Sequence, residues 1–225
     1  MAILAPMLEA AKTLLLVLSA LFPIVNPLGG SPVFLARTTS YPGDARRTLA
    51  QKVAWNSFFI LVGSYFIGSY ILEFFGISLP VVQVGGGLIV ISTGWTLLKQ
   101  GADERRELDQ SMQPQDLYGQ AFYPLTLPLT VGPGSISVAI TLGANAARHH
   151  PIHVLSMAVA LVASAMIAAS VYFCYAFADR LARVLGTTGM SVLLRLSSFL
   201  LVCIGVQIVW NGASSLLGSL PMNGR

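Results

Sequence analysis

Asp, Glu, Lys and Arg are missing from six long stretches of the chain, 13–36, 53–72, 74–98, 117–147, 154–178 and 196–224. A helix rising about 1.5 Å per residue needs roughly 20 apolar residues to cross the hydrocarbon of a bilayer, so each stretch predicts a membrane span. The stretch after Glu73 opens with Phe74, Phe75 and Gly76, which reads as a short turn. The third span is therefore expected to begin near Leu79 and to form a tight hairpin with the second.

The intervening polar connectors, 37–52, 99–116 and 179–195, hold ten Lys or Arg residues, and the rest of the chain has only Lys12, Arg148 and Arg225. With six spans these three connectors share one face, and the excess of positive charge places them in the cytoplasm with both termini outside. The expected location is the cell inner (plasma) membrane, crossed several times. Lys12 before an apolar run raises the question of a cleaved signal peptide. The run is too long for a signal core and carries Pro and Gly punctuation, so a retained span is expected.

The second half of the chain repeats features of the first at an offset of about 106–111 residues. Asn26-Pro27 in the first span aligns with Gly132-Pro133 in the fourth, and Gly94 in the third aligns with Gly205 in the sixth. Three spans per half give the halves opposite orientations. The expected fold is all-α integral membrane, with six transmembrane helices as two inverted three-helix repeats, residues 1–98 and 117–225, joined by a solvated linker at 99–116. The first and fourth helices are expected to be broken. Pro removes a backbone donor and Gly lowers the cost of non-helical torsions, and both clusters, 26–32 and 128–135, combine the two. Backbone groups freed within hydrocarbon must be buried in protein or line a wet cavity. Two such breaks at repeat-equivalent places point to a central solute site in a transporter. The alternative is that they are proline kinks and packing glycines of ordinary membrane helices.

Composition changes this picture little: 55% of residues are hydrophobic, 10% are charged and the net charge is +4. The basic excess sits between spans, where it orients the protein, so no nucleic-acid partner is expected. Cys174 and Cys203 lie inside spans, against a disulfide framework or zinc site. His149, His150 and His153 flank Pro151 in an exterior connector and do not make a metal site by themselves. No nucleophile and base pair stands out within the spans, so no enzyme and no cofactor are expected.

A half-helix starting after a break presents free N–H groups and the positive end of its dipole, which attracts a carboxylate. Gly29, Gly30 and Ser31 stand after the first break, Gly134 and Ser135 after the second. Carbonyls around Ile24, Val25 and Val131 end the preceding segments and suit an ammonium group. A small zwitterion matches both polarities. The substrate-binding residues expected are Asn26, Pro27, Gly29, Gly30, Ser31, Thr130, Gly132, Pro133, Gly134 and Ser135. Gln207 and Asn211, four apart on one helix face, are expected on a cavity wall. Asn56 and Gln83 read as interhelical hydrogen-bonding groups, and Ser156, Ala160, Ser164 and Ala168 as a stripe for close helix packing.

The stretches NPLGGSPVFL at 26–35, PLTVGPGSIS at 128–137 and IGVQIVWNG at 204–212 resemble signatures of the MarC family of bacterial and archaeal membrane proteins. The resemblance spans nearly the whole chain. It implies transport of small neutral amino acids, glycine and alanine being typical, together with an older association with multiple antibiotic resistance. Proton or sodium coupling is allowed by the resemblance, but no Asp or Glu lies deep in a span to carry it. The leading expectation is a secondary transporter working by alternating access. A channel or exporter for another small metabolite or drug, and a non-transporting membrane scaffold, are the alternatives.

Overall fold

The computed structural model describes residues 4–99, 117–149 and 154–219, so the linker beyond Lys99 and the histidines at 150 and 153 lie outside the described residues. Among the described residues every element is helical. Five helical stretches are long and apolar enough to cross a membrane, or six if one bent pair counts as a single span.

Helix α1 (Leu4–Val25) stops at Asn26, and α2 (Pro27–Arg37) starts immediately after it. Asn26 takes left-handed torsions, φ 48° and ψ 59°, which Asn tolerates better than most residues. Pro27 then sits at the first helical position, where a missing N–H costs nothing. Helix α3 (Gly43–Phe74) begins inside the polar connector at 37–52. Its 32 residues span about 48 Å, more than the hydrocarbon core of about 30 Å, so its charged first turns project beyond it. Gly76, at φ 66°, makes the turn into α4 (Leu79–Lys99), which starts at the residue expected from sequence.

A four-residue turn of helix, α5 (Leu117–Gln120), runs into α6 (Ala121–Thr130), a wide π-type segment in which Tyr123 and Leu127 have extended torsions. The bonds before Pro124 and Pro128 are cis. Helix α7 (Pro133–His149) leaves at 69° to α6 across Val131 and Gly132. Helix α8 (Val154–Ala176) is followed by α9 (Ala178–Gly218), 41 residues interrupted at Gly186, φ 65°. The connector at 179–195 is thus helical on both sides of Gly186 rather than a loop. Proximity to the aqueous face, rather than loop conformation, explains its charge.

The core is built around Phe34, Leu49, Leu61, Ile167, Val171 and Tyr175, all buried, whereas Trp55, Phe59, Ile67, Leu88, Phe199 and Val206 point outward. Apolar side chains facing outward suit a surrounding of lipid tails. Ala160, Ser164 and Ala168 of the small-residue stripe are buried on α8. Helices α4 and α9 approach closely over several turns. A Cβ on Gly87 would lie 2.8 Å from the Gly205 carbonyl oxygen, and one on Gly205 would lie 2.9 Å from the oxygen of Gly87. Likewise a Cβ on Gly94 would come within 2.9 Å of the Ser198 oxygen, and one on Gly212 within 2.6 Å of the Pro80 oxygen. As residue numbers rise along α4 they fall along α9, so the pair is antiparallel, and glycine lets the backbones touch.

At one end of the bundle the Arg46 guanidinium of α3 donates to both carboxylate oxygens of Asp179 on α9, and to the Tyr41 carbonyl at 3.1 Å. That pair brings the connectors at 37–52 and 179–195 to the same end. Between helices, Asn56 donates to Thr126 at 3.3 Å and Gln83 to Thr141 at 3.4 Å. Both amides thus hold helices together as their positions in the sequence lead one to expect.

Candidate functional site

The end of α1 and the start of α7 border one cavity of about 70 Å³. Asn26 and Gly30 form one wall, and Thr130, Gly132, Pro133, Gly134 and Ser135 form the wall opposite. Ile89, Val90, Thr93 and Leu97 of α4, with Leu201 of α9, close the remaining sides. Among the described residues no charged side chain lines it.

The two helix starts meeting here differ in what they have free. In α2 the Gly29 N–H donates to the Asn26 side-chain oxygen at 3.1 Å, and the Gly30 N–H donates to the Asn26 carbonyl at 2.9 Å. The Ser31 hydroxyl donates back to the Leu28 carbonyl at 2.8 Å, and its side chain is fully buried. Pro27, Gly29 and Ser31 do not border the cavity. Asn26 therefore serves its own helix as the N-cap, worth about 1 kcal/mol. Gly29 has a packing role instead, because a Cβ there would meet the Asn26 amide and lie 2.6 Å from the Ser197 Cβ.

Helix α7 lacks such a cap. The residue ahead of it is Gly132, which has no side chain to turn back, and Pro133 has no N–H. The first helical bond recorded there runs from the Ile136 N–H to the Gly132 carbonyl, at 3.1 Å. Gly134 and Ser135 thus bring N–H groups to the cavity without a backbone acceptor among the described residues, at the positive end of a 17-residue helix. Glycine at position 134 lets α4 pack close here, since a Cβ would press on the Val90 side chain, which would have to shift.

The end of α1 supplies the opposite polarity. Pro27 has no N–H for the Pro23 carbonyl, and the Gly29 N–H that could reach Val25 is taken by Asn26. The carbonyls at Ile24 and Val25 accordingly end the helix beside the cavity with no helical donor among the described residues. Acceptors at one end and donors at the other make the small space dipolar.

Tyr175 on α8 was not picked out from sequence. Its hydroxyl lies 2.9 Å from that of Thr130, which itself donates to the Leu125 carbonyl at 2.7 Å, so Tyr175 is the donor to Thr130. Its ring stacks on Phe34 of α2 at 4.5 Å, and a Cβ on Gly30 would fall 2.5 Å from its hydroxyl. One tyrosine thus braces both interrupted segments. A tyrosine in an apolar run carries no sequence signal that separates it from ordinary core.

Gln207 and Asn211 do not border this cavity. Gln207 donates to Asn211 at 2.9 Å, and both line a second cavity of about 300 Å³ with Ser19, Gln83 and Thr141. No group of three or more metal-ligating side chains occurs among the described residues.

The model of the MarC family integral membrane proteins matches residues 11–217. The chain belongs to the MarC family. Similar MarC-family relatives include a UPF0056 inner membrane protein MarC of Salmonella arizonae, 31% identical over 94% of this chain and 98% of the relative. A UPF0056 membrane protein of Methanocaldococcus jannaschii is 29% identical over 90% and 97%, and one of Archaeoglobus fulgidus is 26% identical over 91% and 93%. No solved structure matches the chain. Membership makes the chain an integral membrane protein, in keeping with its apolar helices and outward-facing side chains.

Proposed function

We propose that this MarC-family protein is a secondary transporter of small neutral amino acids, with glycine and alanine the best-fitting size class. The observation that carries the reading is the uncharged dipolar cavity between the carbonyl end of α1 and the uncapped amide end of α7. A zwitterion laid between them sets its ammonium against the Ile24 and Val25 carbonyls and its carboxylate against Gly134, Ser135 and the Ser135 hydroxyl. Size also favours this class. Pockets that hold drug-sized molecules run from about 300 to 1,000 Å³, far above the 70 Å³ found here.

In this reading the two halves are inverted repeats and the solute is exposed alternately to the two sides. The packing is compatible with that symmetry. Helix α4 packs on α7 while its counterpart α9 packs on α2, and α4 and α9 run antiparallel through their glycines. The charge asymmetry orients the connectors inward and both termini outward, and the naming of the Salmonella relative supports an inner-membrane location. With no carboxylate in the cavity, a coupling ion would have to be held by backbone carbonyls or be absent.

The test is uptake of labelled glycine and alanine into proteoliposomes under imposed gradients. Wild type should exceed empty liposomes. Asn26→Ala should slow uptake about tenfold, the equivalent of ~1.4 kcal/mol, by freeing the Gly29 N–H and loosening the start of α2. Uptake indistinguishable from empty liposomes in either direction would remove the transport reading.

A further inference from the structure

The second cavity, about 300 Å³, lies toward the start of α4 and the last turns of α9. Its walls carry amide and hydroxyl groups, Gln83, Thr141, Gln207 and Asn211, and no charge among the described residues. Gln207 and Asn211 are exposed, although both belong to an apolar membrane helix. An amide facing hydrocarbon without partners is costly, so these groups belong to a wet space rather than a lipid face. Their mutual hydrogen bond leaves the Gln207 side-chain oxygen and the Asn211 amide nitrogen with no protein partner among the described residues.

Between this space and the central cavity stands an apolar barrier. Ile24, Val90, Leu201 and Ile208 form a buried cluster, with Val138 and Ile204 packed against it. Ile24 borders both cavities, Ile208 only the amide-lined one, and Val90 and Leu201 only the central one. Two largely apolar compartments, each carrying a few polar groups, thus lie in series, separated by one layer of branched aliphatic side chains.

Resting on the transport reading above, we propose that the amide-lined cavity is a second solute station, in which Gln83, Gln207 and Asn211 hold a small neutral amino acid before it passes the Ile24 barrier. Side-chain amides offer donors to a carboxylate and acceptors to an ammonium group. A volume several times that of the central cavity holds the solute with part of its hydration, which suits a loading site.

Ser19 is a suitable reporter, because it lines this cavity, is exposed, and its hydroxyl bonds back to the Leu16 carbonyl of its own helix. Ser19→Cys is introduced together with Cys174→Ala and Cys203→Ala, the protein is placed in nanodiscs, and reaction with a water-soluble maleimide is timed with and without glycine or alanine. Labelling should be rapid, and either amino acid should slow it severalfold. Protection should persist when Gly134→Leu blocks the central cavity or, where that variant does not fold, when Asn26→Ala impairs it. It should vanish in Gln207→Leu/Asn211→Leu, with labelling itself retained. An unreactive Ser19→Cys, labelling indifferent to both amino acids, protection lost with the central-site variant, or protection surviving the double leucine variant would each overturn the second station. Protection at Ser19→Cys in a protein that moves no glycine or alanine would instead leave this site standing and defeat the transport reading.

Discussion

Gly134→Leu is expected to abolish uptake of glycine and alanine while the protein still folds. A Cβ at this position already collides with the Val90 side chain, and the rest of a leucine side chain must occupy the central cavity of about 70 Å³. Because the obstacle is a side chain rather than backbone, Val90 can shift, and the cost to stability should stay near the ~1–3 kcal/mol usual for overpacking. Proteoliposome uptake and thermal unfolding in detergent, read on the same preparation, check both halves of the expectation. A variant that transports normally would mean that solute passes elsewhere.

The α4/α9 contact gives the second large effect, on stability rather than on solute. Gly205→Ala should lower the thermal midpoint by several degrees, and Gly205→Leu should yield no folded protein. At Gly205 the nearest atoms include the Ile91 backbone nitrogen, at 2.8 Å from the added Cβ, and the Gly87 carbonyl oxygen at 2.9 Å. Backbone cannot rotate out of the way, so the helices must separate along their length, and membrane helices lose packing when they do. Thermal unfolding measures the alanine variant, and recovery of monodisperse protein the leucine variant. An unchanged midpoint for Gly205→Ala would show that α4 and α9 are not held at backbone contact.

The helical class and the spans were legible because a bilayer demands long uncharged stretches, and the chain has them. The start of α4 at Leu79 was legible too, since Gly76 provides a turn that few other residues could make. The helical connectors were not. Charge marks where water begins, but Arg46, Asp179 and their neighbours are as compatible with helix as with loop, and α3 and α9 run on through them. At the site, the Gly/Pro clusters hold the residue with left-handed torsions, Asn26, within the continuous apolar stretch Met7–Arg37, and the 69° bend at Val131 and Gly132. Sequence treated the two clusters as equivalent anion sites, and the difference between them lies in one side chain. Asn26 caps the amide that Gly29 would otherwise offer, whereas Gly132, its counterpart, has nothing to cap with. Gln207 and Asn211 were placed on a cavity wall, and they do line a cavity, but one on the far side of an apolar layer that only the three-dimensional packing reveals.

The dipolar nature of the central cavity is tested most directly by competition against uptake of labelled glycine, using unlabelled glycine, glycinamide and N-acetylglycine. Glycinamide lacks the carboxylate that α7 would receive, and N-acetylglycine lacks the ammonium that the α1 carbonyls would receive. Inhibition by glycine, with neither analogue competing at the same concentration, is the expected result. Equal inhibition by all three, or by either analogue as strongly as by glycine, would contradict a site that holds both ends of a zwitterion.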